Sequence, residues 1–119
     1  MTESRKIITK ALDEASECGR PLWRHHECYE PELRAMAVAG ECVHFSTDYY
    51  DHDSIELHEQ CTRGYSDLAL VGWWRPAALV SRLEKAARSA EFDGRCFHRV
   101  ESGARHATDL RAAAARVAL

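Results

Sequence analysis

The chain has 119 residues, 45% of them hydrophobic, with a formal net charge of −3 and five cysteines. That length supports one hydrophobic core and a single domain over residues 1–119, because a second domain cut from it would be too small to sustain a core of its own. The longest apolar run, Leu68 to Trp74, is far short of a bilayer span, the polar N-terminus lacks the apolar centre of a signal peptide, and an odd number of cysteines without repeated spacing fits reduced thiols; together these predict a soluble cytoplasmic protein with no membrane role.

Ile7, Ile8, Ala11, Leu12 and Ala15 recur at helical offsets. They predict an amphipathic helix over 4–18, with Ser4 able to cap it and Gly19 placed to stop it. Arg20-Pro21-Leu22-Trp23 breaks the helix, and Trp23 is expected to anchor the connection to the core. Pro31 in a first turn, followed by Leu33, Met36, Ala37 and Gly40, predicts a short helix from about 31 to 40. Cys42-Val43-His44-Phe45 and Ser54-Ile55-Glu56-Leu57 alternate as strands do, and residues 46–53 between them are polar and turn-prone. An antiparallel hairpin over about 42–57 is therefore expected.

Residues 58–74 read as a further helix, weakened by Gly64 and Gly72. On that helix Trp73 and Trp74 would stand about 100° apart, so one is expected in the core and the other at an interface, the seam of a homodimer if one forms. Arg75-Pro76 marks a boundary and a helix start; Leu79, Leu83, Ala86, Ala87 and Ala90 then give a stripe from 76 to about 91, before Asp93-Gly94. Cys96 to Val100 reads as a short strand, and Ala104 to Leu119 as an Ala-rich helix with Leu110, Ala114 and Val117 on one face. The predicted fold class is α+β, mainly helical with a small antiparallel sheet.

Charge is distributed unevenly along this frame. From Glu27 to Glu59 there are nine carboxylates and one basic residue, Arg34, while residues 61–119 carry a net +4. Within the acidic stretch, Asp48, Tyr49, Tyr50, Asp51, Asp53 and Glu56 are the candidate partner-binding residues of a surface over about 41–59. Carboxylates there could engage a protein complex with a basic groove, with exposed tyrosines supplying contact area. The plainer reading is a solvated polar face. Five of the seven histidines fall in residues 1–60, so protonating them would move the net charge of that half from −7 toward −2 and weaken such a partnership in mild acid.

Leu33-Arg34-Ala35-Met36-Ala37-Val38-Ala39-Gly40 ahead of the expected hairpin, and Leu57-His58-Glu59-Gln60-Cys61 after it, resemble the winged helix-turn-helix family over residues 4–70. In that family a helix with an Ala-Gly end leads into a two-stranded wing, and a Leu-Thr-x-x-Gly turn leads out of it. The resemblance implies that architecture, and a fold does not by itself fix a function. This chain departs from the pattern at His58 and Cys61, which replace Thr and Gly, and its wing would read Asp48-Tyr49-Tyr50-Asp51-His52-Asp53, which a line of phosphates would repel. In size and charge it is also similar to small phage-encoded inhibitors of bacterial defence, the anti-CRISPR proteins, many of which occlude a basic nucleic-acid groove.

Cys42-x-His44 on a strand and His58-x-x-Cys61 on a helix could together offer a tetrahedral sulfur and imidazole set for zinc, although the spacing is not that of a known finger, and buried thiols with surface imidazoles are the plainer account. Cys61 with His58, or Cys96 with His98, lacks the orienting group and glycine-rich oxyanion turn of a nucleophilic enzyme. Phosphate loops and dinucleotide fingerprints are missing too. The reading is a non-enzymatic binding protein with no cofactor. In the basic half, Arg82, Lys85 and Arg88 recur at i, i+3 and i+6 and could hold phosphates; as an alternative they are the solvated face of an amphipathic helix.

Overall fold

The computed structural model describes residues 2–22, 29–45 and 70–118. They form a mainly helical α+β structure with one two-stranded antiparallel sheet. The chain divides into two compact units, Met1–Arg75 and Pro76–Leu119.

In the first unit, helix α1 (Glu3–Glu17) begins where the Thr2 hydroxyl accepts the Arg5 amide at 3.1 Å, so the cap lies two residues before the expected Ser4. Ile8 and Leu12, one turn apart, are its buried residues. Helix α2 (Glu30–Val38) starts with Pro31 in its first turn, where a missing amide costs nothing, and buries Leu33 and Met36. These four side chains, Leu22 and Cys42 make one core cluster, with Ala11, Ala15, Tyr29, Ala37 and Trp73 packed partly against it. The expected anchoring by Trp23 falls outside the described residues.

Strand β1 (Val43–Phe45) occupies the predicted first arm of the hairpin, but its partner is β2 (Gly72–Trp74), with Val43 opposite Trp74, His44 opposite Trp73 and Phe45 opposite Gly72. The expected second arm, 54–57, lies outside the described residues. Residues 72–74 form a strand where the sequence pattern predicts a helix, and the backbone gives the reason. Gly72 has φ 148°, which no helix accommodates, and a Cβ there would sit 2.8 Å from the Leu22 carbonyl oxygen. Leu22 and Trp73 also exchange backbone hydrogen bonds of 2.9 and 3.1 Å, so β2 is paired on both sides. Strand alternation then separates the tryptophans: Trp74 is fully buried, its indole N–H donating to the Leu70 carbonyl at 2.8 Å, while Trp73 is half-buried.

The second unit is a helical hairpin of α3 (Pro76–Cys96) and α4 (Val100–Ala118). Here too the expectations need correcting. Helix α3 runs through Asp93-Gly94, and Cys96 to Val100 is a helix end, a turn and a helix start rather than a strand. Leu79, Leu83, Ala86, Ala87 and Gly94 of α3 are buried, as are Gly103, Ala107, Leu110 and Ala114 of α4. Glycine and alanine on both faces let the helices approach backbone to backbone, which compensates for the small apolar area each side chain supplies.

Candidate functional site

The six candidate partner-binding residues, Asp48, Tyr49, Tyr50, Asp51, Asp53 and Glu56, lie outside the described residues, as do His58 and Cys61 of the candidate metal set. Glu30, Glu32 and Glu41 of the acidic stretch are described, and two of these carboxylates are engaged locally. Glu30 accepts from Arg34 one helical turn away at 2.7 Å. Glu41 accepts from Arg5 at 2.6 Å, and its backbone carbonyl accepts Arg75 Nη1 at 2.8 Å. Arg75 also donates from Nε to Asp13 at 2.7 Å, and its amide donates to the Ser16 hydroxyl at 3.1 Å. Arg75 therefore ties the end of β2 to α1 and to the segment entering β1.

Cys42 and His44 differ in their surroundings. Cys42 is 4% exposed, belongs to the core cluster, and its thiol donates to the Leu33 carbonyl at 3.4 Å. Burial pushes the thiol pKa up, and the nearby Arg75 guanidinium only partly opposes it. His44 is exposed, with its ring tilted against Trp73 at a centroid distance of 4.8 Å. Among the described residues no cluster of three or more His, Cys, Asp or Glu side chains is placed to hold a metal ion.

The basic candidates are all described. Arg82, Lys85 and Arg88 stand on α3, with Lys85 and Arg88 exposed and Arg82 partly so. At 100° per residue they centre on the side of the helix opposite its buried stripe. Sequence reasoning overlooked how this line continues. Phe92 and Arg95 follow at the next two helical offsets and are exposed, and Phe97 and Val100 are exposed at the α3–α4 turn. Ending the helix at 91 hid them; Phe92 one turn after Arg88, in an otherwise polar stripe, was the available signal. The carboxylates Glu84 and Glu91 lie together on the flank, and both pair with Arg111 of α4.

No protein family, curated protein or solved structure matches the chain. Among the described residues no helix is long and apolar enough to cross a membrane.

Proposed function

We propose that this is a non-enzymatic binding protein that acts through the acidic surface of residues 41–59 on a macromolecular partner with a basic groove, as an inhibitor of a bacterial nucleic-acid-handling or defence complex would. One observation supports this reading: charge follows architecture. The unit Met1–Arg75 carries eight Lys/Arg against 14 Asp/Glu, and the unit Pro76–Leu119 eight against five. A net negative charge over one unit accelerates encounter with an oppositely charged groove and disfavours wrong partners. Tagged protein and its Asp48→Asn/Asp51→Asn/Asp53→Asn variant are to be compared by affinity capture from nuclease-treated host lysate. A protein complex retained by the native chain, lost with the variant and weakened in mildly acidic buffer is the expected result. Capture of nucleic acid alone, removed by the nuclease, overturns it.

A second reading is a nucleic-acid-binding regulator, winged-helix-like, that uses its basic C-terminal helices as the contact surface. It is favoured by the line of Arg82, Lys85, Arg88 and Arg95 on the outward side of α3. Replacing Arg82, Lys85 and Arg88 with Gln removes function under this reading and leaves it intact under the first.

A further inference from the structure

We propose that the outward side of α3 and the α3–α4 turn form a surface for single-stranded nucleic acid, with Arg82, Lys85, Arg88 and Arg95 holding phosphates and Phe92 and Phe97 stacking on bases. This rests on the second reading above and names its ligand class.

The helix supplies the geometry. Positions 82, 85, 88, 92 and 95 are separated by three or four residues each, so they stay on one side of α3 over a length of about 20 Å. The buried stripe of α3, from Leu79 to Gly94, occupies the opposite side. Two of the four carboxylates near this line are already engaged. Glu84 and Glu91 pair with Arg111, and the exposed Asp93 and Glu101 flank the turn.

The aromatic residues decide between kinds of polyanion. Phe92 is 60% exposed, Phe97 69% and Val100 59%, and these three are most of the five large hydrophobic side chains left exposed among the described residues. They fall within nine residues of chain, with Phe92 inside the line of cations on α3 and Phe97 in the turn that follows it. A duplex presents phosphates but keeps the faces of its bases stacked inside, so exposed phenyl rings gain little from it. An unpaired strand offers phosphates to the cations and base faces to the rings. A membrane surface calls for a broad apolar stripe bordered by cations, whereas the apolar stripe of α3 is already buried.

The test is fluorescence anisotropy of the full chain with an end-labelled single-stranded oligonucleotide of mixed sequence, the same sequence as a duplex, and anionic phospholipid vesicles as competitor, at several salt concentrations. The single strand is expected to bind more tightly than the duplex. Phe92→Ala and Phe97→Ala should each weaken it about tenfold while leaving the salt dependence unchanged, since stacking carries no counterion release. The pair Lys85→Gln/Arg88→Gln should instead lower the slope of log affinity against log salt by about 1.4. All four side chains are exposed, so far-UV circular dichroism should stay native. Equal or tighter duplex binding that ignores the phenylalanines overturns the single-strand assignment and leaves the nucleic-acid reading standing. Binding to neither oligonucleotide, or to vesicles alone, overturns both.

Discussion

Gly94 of α3 and Gly103 of α4 meet backbone to backbone: a Cβ on Gly94 would lie 3.1 Å from the Gly103 Cα, and one on Gly103 would lie 3.0 Å from the Gly94 Cα and 2.6 Å from the Ala90 carbonyl oxygen. Nothing flexible is available to give way, because the obstructing atoms are main chain. The contact lies nine residues apart in sequence, across the turn that presents Phe97 and Val100, so it sets how that turn is displayed.

Gly103→Ala is therefore expected to destabilise the protein by about 1–3 kcal/mol, the usual range for overpacking a tight core, even though alanine is the better helix former. Urea unfolding followed by circular dichroism measures it. The exposed neighbour Ser102 provides the control, since Ser102→Ala should stay within about 0.5 kcal/mol of the native chain.

The helix ends carry a second prediction. Helices α1 and α2 close with left-handed glycines, Gly19 at φ 69° and Gly40 at φ 78°, and the following amide reaches back to the third-last carbonyl in each, Arg20 to Ala15 and Glu41 to Met36, both at 2.9 Å. Helix α3 closes in the same way, Arg99 to Gly94 at 2.6 Å, but with His98 in the left-handed position at φ 56°. An L-residue with a Cβ is disfavoured there, so His98→Gly should stabilise by about 0.5–1 kcal/mol, whereas the β-branched His98→Val should destabilise. Thermal melts of the three proteins give the ranking.

Arg75 donates to Asp13, to the Glu41 carbonyl and, through its amide, to Ser16, yet its pair with Asp13 is partly exposed, 29% and 47% for the two side chains. Solvent screens such a pair, so Asp13→Asn should cost no more than about 1 kcal/mol. Arg75→Ala should cost more, because the carbonyl of Glu41 loses its donor as well, and Arg75→Lys should not restore it, since a point ammonium cannot fork between two acceptors. Chemical denaturation with a double-mutant cycle on Asp13 and Arg75 separates the ion pair from the rest.

Cys42 should be protected from alkylation in the folded protein, with Cys18 and Cys96, both exposed, labelled before it. Peptide mass mapping after a brief iodoacetamide pulse reads this directly. The same burial links stability to pH. With its pKa raised in the folded state, the thiol holds its proton more tightly folded than unfolded, so its contribution is intact below the ordinary value of 9.0 and is lost as pH rises from there through the folded value. Stability measured on the alkaline side of that value should fall less steeply for Cys42→Ala than for the native chain.

Local patterning was enough to locate the four helices among the described residues. Ile8 with Leu12, Leu33 with Met36, Leu79 with Leu83 and Leu110 with Ala114 each repeat at helical offsets, and that information resides within a turn or two of chain. The imbalance of charge was equally open to reading, since it needs no fold at all. That residues 72–74 would pair with β1 was not legible, because strand partners are chosen by distant contacts; Gly72 pressed against Leu22, and Trp73 bonded to Leu22, hold that segment extended from 50 residues away in sequence. The end of α3 was misjudged at Asp93-Gly94 for a related reason. A glycine that marks a turn by composition is required here inside a helix because Gly103 of the neighbouring helix lies against it, and only the tertiary structure brings that neighbour near. The outward line from Arg82 to Arg95, with Phe92 in it, came into view only once that helix was known to continue.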